Sequence, residues 1–273
     1  MKIAGLQKLT LLDFPGKTAA TVFTIGCNFR CPFCHNAELV IPSDARFTTK
    51  SSTEIKTPVL AQSSISKSEF FSFLDKRHGL LDGICITGGE PTLQHDLAEF
   101  CAQIKEKGFL VKLDTNGYKP DTLKQLLDGG LVDYAAMDIK NSPALYAKTI
   151  GFDTVHPIQE SSFNLDVIEH SMKLLLHSKV SFEFRTTVLA ELHTEQSLQD
   201  TATWIAKLAQ EENYSLNEIS WYLQQFVDSK NVMAGEGFFS PWEEESLRGI
   251  LPVLKAILPQ TELRGISINK PNK

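Results

Sequence analysis

Cys27, Cys31 and Cys34 follow one another with the spacing C-x3-C-x2-C. Three soft thiolates on one short loop are a ligand set for an iron–sulfur cluster, for zinc or for Cu(I). The number of ligands narrows the chemistry. A four-iron cluster that only carries electrons uses four protein ligands, whereas three leave one iron open, much as a catalytic zinc site keeps an open position. The competing reading is a zinc site completed by His35 or by a remote residue. A zinc knuckle supplies its ligands as two close pairs, and the sequence holds no second pair. Cys85 lies in a predicted core strand and Cys101 on an apolar helix face, so both read as buried small hydrophobes.

Three further segments carry groups that could meet a ligand. In Thr87-Gly88-Gly89-Glu90-Pro91 the paired glycines let backbone approach a ligand closely; taken alone, the segment is a strand-to-helix turn with a solvated glutamate. Asp114-Thr115-Asn116-Gly117 is by itself an ordinary turn, with Asn-Gly suited to positive φ. Asp138 and Lys140 stand two residues apart on one face of a strand, where a surface ion pair is the plain alternative. Arg185 sits within the apolar run FEFRTTVL, and an arginine there needs a partner. That partner is Glu183 or a neighbouring carboxylate, or Arg185 faces a ligand; the second reading is preferred.

The elements that must position these groups alternate. Predicted strands cover Thr18–Ile25, Gly83–Thr87, Phe109–Leu113, Tyr134–Ile139, Val180–Val188 and Glu218–Phe226, with a last short one at Leu263–Ile268. Leu97, Phe100, Cys101 and Ile104 recur at helical spacing, as do Leu198, Ala202, Ile205 and Ala209, and Leu247, Ile250, Leu251, Leu254 and Leu258. Ser66 with Glu69 forms a capping box, and Ser240, Pro241 and Glu243 look like another helix start. Strand–helix alternation predicts βαβ units and a parallel sheet. The cysteine loop and the Gly-Gly segment each follow a strand, so both fall at the C-terminal rim, where such sheets build their sites. Residues 43–66 are rich in Ser and Thr, carry Pro58 and lack helical period; they read as a surface insertion, flexible or partly ordered, within a single domain.

With Phe33 in the aromatic slot, C-x3-C-x-aromatic-C resembles the motif of the radical SAM (S-adenosylmethionine) superfamily. The resemblance runs from about Gly5 to Gln225. LTLLDFPGKTAATVFTIGCNFRCPFCHN and WYLQQF are particularly similar to the activating enzymes of glycyl-radical proteins, above all the anaerobic ribonucleoside-triphosphate reductase activating proteins. The resemblance implies a partial (β/α)6 TIM-like barrel, open at its side, with a 4Fe–4S cluster on Cys27, Cys31 and Cys34. It implies that Gly88, Gly89 and Glu90 hold the amino group of SAM, with Glu90 as an acceptor. DTNG and MDIK match segments of the pyruvate formate-lyase activating enzyme, which implies that Asp114, Thr115 and Asp138 hold a monovalent cation and that Lys140 contacts SAM. Arg185 joins the SAM site in this reading, while Gln225 stands where that relative has a histidine. An external reductant, flavodoxin-like or ferredoxin-like, would drive cleavage of SAM to methionine and a 5′-deoxyadenosyl radical. That radical would then take hydrogen from a glycine of the partner, the large subunit of the reductase.

The remaining features set bounds. The 273 residues carry 27 basic and 33 acidic side chains, net −6, with no basic stripe to favour nucleic acid. No apolar run reaches membrane-spanning length, and the N-terminal residues meet Asp13 and Pro15 early, so a cytoplasmic protein is expected. Two other functions stay open: a radical SAM enzyme acting on a small molecule such as a nucleoside or cofactor precursor, and a metal-binding or electron-transfer protein without SAM chemistry.

Overall fold

A computed structural model describes residues 1–40, 64–152 and 163–266. Among them the strands form one eight-stranded sheet in sequential order: β1 (Ile3–Thr10), β2 (Ala19–Thr24), β3 (Gly83–Gly88), β4 (Leu110–Thr115), β5 (Tyr134–Asp138), β6 (Ser181–Val188), β7 (Ser220–Gln225) and β8 (Thr261–Arg264). β2 to β8 run parallel, and β1 pairs antiparallel with β2. β1 and β8 do not pair, so the barrel is partial. β2 to β7 lie within two residues of their predicted places, whereas β8, expected at Leu263–Ile268, runs over Thr261–Arg264. The six expected strands and the short final one are present, and β1 is an addition. Its sequence, IAGLQKLT, places Gly5 and Gln7 where an alternating strand wants apolar residues, so no periodicity announced it.

The connections are helical: α1 (Ala37–Val40), α2 (Lys67–Asp75), α3 (Leu97–Glu106), α4 (Pro120–Asp128), α5 (Tyr146–Thr149), α6 (Leu165–Leu176), α7 (Glu195–Glu211) and α8 (Glu244–Ile257). Most residues 43–66 of the expected insertion lie outside the described residues. At its end, Ile65 bridges to Ile3 and Ser66 closes the anticipated capping box with Glu69. The start of α8 is not where Ser240 and Pro241 suggested. Ser240 donates its N–H to the Glu191 carboxylate (2.9 Å) and Pro241 bridges to Leu189, so the chain is still extended there. The helix begins after Glu243, without a side-chain cap.

Period-two alternation divides every strand between two environments. One set, with Val22, Ile86, Leu113, Met137, Phe184 and Leu223, is fully buried among the apolar faces of the helices. Each such side chain contributes about 1.5–3 kcal/mol by leaving water. The other set faces the concave side and is largely polar. Cys101 joins the apolar layer as expected; Cys85 is buried but faces the polar side, with Lys112 Nζ 3.9 Å from its sulfur.

Candidate cluster and cofactor site

The cysteine loop has no regular structure, so its backbone groups need other partners. Arg30 donates to the Cys27 and Phe29 carbonyls (2.6 and 2.8 Å), and its own N–H meets Ile150 O at 2.9 Å. Cys34 N–H closes a turn onto Cys31 O (3.0 Å), and buried Phe29 and Phe33 anchor the loop. From the segment after β7, Met233 N–H donates to Cys34 O (3.0 Å) and Ala234 N–H to Pro32 O (2.8 Å). These bonds set the directions of the three thiols.

The Gly-Gly segment lies directly against this loop. A Cβ on Gly89 would sit 2.1 Å from Gly26 O, and one on Gly88, at φ +115°, would sit 2.4 Å from Thr24 N. Only glycine allows that approach. Glu90 N–H donates to Gly26 O (2.7 Å), joining the two rim loops. The Glu90 side chain is 1% exposed, so it is no solvated turn residue. Its Oε1 accepts from Thr92 N–H (3.0 Å), the Thr92 hydroxyl (2.5 Å) and the Thr115 hydroxyl (2.8 Å), and its Oε2 accepts from Asn116 N–H (2.7 Å). Burial raises its pKa, and these donors oppose the rise. Glu90 thereby holds two loops in register, with most of its acceptor capacity already taken. Asn116 extends the tie, donating to Asn28 Oδ1 at 2.8 Å.

On the concave face of β4, β5 and β6 lies a chain of charges. Arg185 Nε donates to Asp138 Oδ1 (3.0 Å) and Nη1 to Asp114 Oδ2 (3.2 Å). Lys140 Nζ donates to Asp138 Oδ2 (2.9 Å), and Lys112 Nζ to Asp114 Oδ1. Burial alone would raise the Asp138 pKa, but Arg185 and Lys140 outweigh it and hold it at about 2. Asp114 is likewise lowered by Arg185 and Lys112 against burial. For Lys140 burial works against the charge, and Asp138 more than offsets it. Arg185 therefore bridges two carboxylates. Glu183, its other suggested partner, is claimed by Arg264 and Tyr134.

Of the residues singled out in the sequence, Cys27, Cys31, Cys34, Gly88, Gly89, Glu90, Asp114, Thr115, Asp138, Lys140 and Arg185 line one cavity. Gln225 does not. It faces the other side of β7 and donates to Trp242 O (2.7 Å), while its neighbour Gln224 lines the cavity. Among the described residues no three His, Cys, Asp or Glu side chains converge tightly enough to hold one metal ion, and the His35 ring packs at a tilt against Phe226, 5.1 Å between centroids. Three thiols lining one cavity are the donor set of a cluster that keeps one iron open. Burial pushes the Cys27 thiol up to about 12 and raises those of Cys31 and Cys34, so all three are protonated until a metal displaces the protons.

Residues 21–161 match the model of the Radical SAM superfamily. The chain belongs to this superfamily. Radical SAM proteins use a 4Fe–4S cluster and SAM, and this protein is a radical SAM enzyme. One relative, from Methanocaldococcus jannaschii, is named for a proposed role as a glycyl-radical enzyme activating enzyme; it is 32% identical over 203 residues, 73% of each chain. The pyruvate formate-lyase-activating enzyme of Clostridium pasteurianum is 27% identical over 141 residues, 51% of this chain and 52% of that one. Among solved structures, Streptococcus suis SuiB bound to its precursor peptide SuiA superposes with a TM-score of 0.62 at 11% identity. That match takes in 90% of this chain and 48% of SuiB, and it speaks for the radical SAM fold.

Other cavity and support residues were not singled out. Thr187 and Gln224 line the cavity, and Lys112 stands behind it. Strand parity could have found them: Lys112 precedes Asp114 by two residues, and Thr187 follows Arg185 by two. His193 gave no such signal. It is buried, with Nε2 2.9 Å from Lys140 O and Nδ1 accepting from Leu189 N–H, an arrangement that assigns a neutral ring.

Proposed function

We propose that this radical SAM enzyme activates a glycyl-radical protein, and that its partner is the large subunit of an anaerobic ribonucleoside-triphosphate reductase. The observation that carries the reading is similarity over 73% of both chains to the archaeal relative named for glycyl-radical enzyme activation. The open sheet supports it. With β1 and β8 unpaired, the cavity wall is incomplete, and a partner's loop has a lateral way in. A fully closed eight-stranded barrel fills its interior with side chains and offers no such entry.

In this reading Cys27, Cys31 and Cys34 hold the cluster, and cluster and SAM together supply a reductively generated carbon radical. The chain's own work is binding and exclusion. Gly88 and Gly89 bring backbone against the methionine moiety of SAM, and Lys140 and Arg185 offer positive charge to its carboxylate. A flavodoxin-like or ferredoxin-like protein delivers the electron. The site's charged groups are mutually paired, and no acid–base step is assigned to them.

The test combines anaerobically reconstituted protein, strong reductant, SAM and the reductase large subunit. An oxygen-sensitive glycyl radical doublet in electron paramagnetic resonance is expected, with deoxyadenosine formed alongside. Deoxyadenosine without a protein radical would reject the reductase and redirect the search to other glycyl-radical proteins or to small molecules. Cys31→Ala should abolish both products and reduce bound iron to background.

A further inference from the structure

We propose that Lys112 is a built-in replacement for the alkali cation that the Asp114-Thr115 and Asp138 pattern implied, so that SAM binding here needs no free sodium or potassium. The inference rests on the SAM site described above. All four carboxylate oxygens of Asp114 and Asp138 are already engaged by fixed cations. Lys112 takes Asp114 Oδ1, Arg185 takes Asp114 Oδ2 (3.2 Å) and Asp138 Oδ1 (3.0 Å), and Lys140 takes Asp138 Oδ2 (2.9 Å). The third expected ligand is held as well: the Thr115 hydroxyl donates to Glu90 at 2.8 Å and accepts from Gly117 N–H at 3.1 Å.

Charge balance gives the array its purpose. Three cations against two carboxylates leave one net positive charge beside the cavity, suited to one anion such as the carboxylate of an amino-acid moiety. Without Lys112 the array would be neutral, and a bound monovalent ion would be needed to restore that charge. With Lys112 present, such an ion would meet like charge and find no free carboxylate oxygen among these two acids. Lys112 is built in rather than adventitious. Its side chain is 2% exposed, and its Nζ lies 3.9 Å from Cys85 Sγ and 6.0 Å from the Tyr134 ring centre. A lysine held by a carboxylate, a thiol and an aromatic face cannot exchange with solvent as an ion does. Lys112 is thus a positioning residue. It fixes Asp114, and through Asp114 it aims Arg185 at the cavity.

The experiment measures SAM binding to anaerobically reconstituted protein in buffers of equal ionic strength, with choline, sodium or potassium as the cation. For the unaltered protein the Kd for SAM should agree within about twofold across all three. In Lys112→Met it should weaken by about tenfold in choline, the loss of one charge-assisted hydrogen bond, and recover saturably with sodium or potassium. Melting of the metal-free unaltered protein should also be the same in choline and sodium. Unaltered protein that binds SAM only with an alkali ion overturns the proposal while leaving the radical SAM site standing. A Lys112→Met protein indifferent to the cation overturns it too. If that variant does not fold, the unaltered protein's response decides alone. No SAM binding in any buffer overturns the site reading itself, and this inference with it.

Discussion

Toward the C-terminal ends of β4, β5 and β6, three cations meet two carboxylates beside an open cavity. Two residues earlier on β6, buried Glu183 meets Arg264 in a two-pronged pair (2.7 Å each) and accepts a further bond from Tyr134 (2.7 Å). Arg264 in turn lies 3.3 Å above the Tyr222 ring. β5 and β6 contribute to both arrays, with β4 completing the upper one and β7 and β8 the lower, and both consist of ionic groups in a place where sheets usually bury apolar ones. They differ in what is left over. The lower array is balanced and does not line the cysteine cavity, so its ion pair serves cohesion. The upper one has positive charge to spare and an opening through which to use it. A buried ion pair thus says little about function until its balance and its access are known.

Removing one partner from each array should pull those duties apart. Arg264→Met leaves Glu183 buried with Tyr134 alone, and unfolding free energy should fall by about 3 kcal/mol while the Kd for SAM changes little. A variant with lost SAM affinity and unchanged stability would erase the distinction between the two levels. Lys140→Met should do the opposite. Asp138 keeps Arg185, so stability should drop by less than about 1 kcal/mol, whereas SAM binding should weaken by about tenfold or more. Calorimetric melting and SAM titration on both variants give the four numbers needed.

The smallest expected effect sharpens the upper array. His193 holds the Lys140 carbonyl, and burial lowers its pKa from the usual 6.5 despite its two hydrogen bonds. The unfolded chain therefore binds more protons than the folded one below that value. Stability should be intact above pH 6.5 and decline as pH falls below it, levelling only at the folded value. His193→Gln should flatten this part of the pH–stability curve. An equally steep curve in that variant would assign the acid sensitivity to another group.

Much of the site was legible because the chemistry needs particular residue types close together. The cysteine spacing, the Gly-Gly pair and the acid–lysine alternation are local facts, and each sits at a strand end that hydrophobic pattern alone could place. What stayed hidden depends on distance in space. Glu90 looked solvated because nothing nearby in sequence showed Thr115 and Asn116 closing over it. Ser240 and Pro241 looked like a helix start because the competing partners, Leu189 and Glu191, come from another turn of the barrel. Gln225 and Gln224 differ by one position, which in a strand means opposite faces, and only the register decides which one meets the cavity.

By itself, the order of residues determined the cysteine spacing, the parallel strand–helix alternation and the rim on which the cavity is built, since spacing and period are properties of the chain. Only the tertiary structure decided which charges cancel. Lys112, Asp114, Asp138 and Arg185 come from three strands and Lys140 from the segment just past β5, and electrostatic balance is a sum over neighbours in space that no single strand contains.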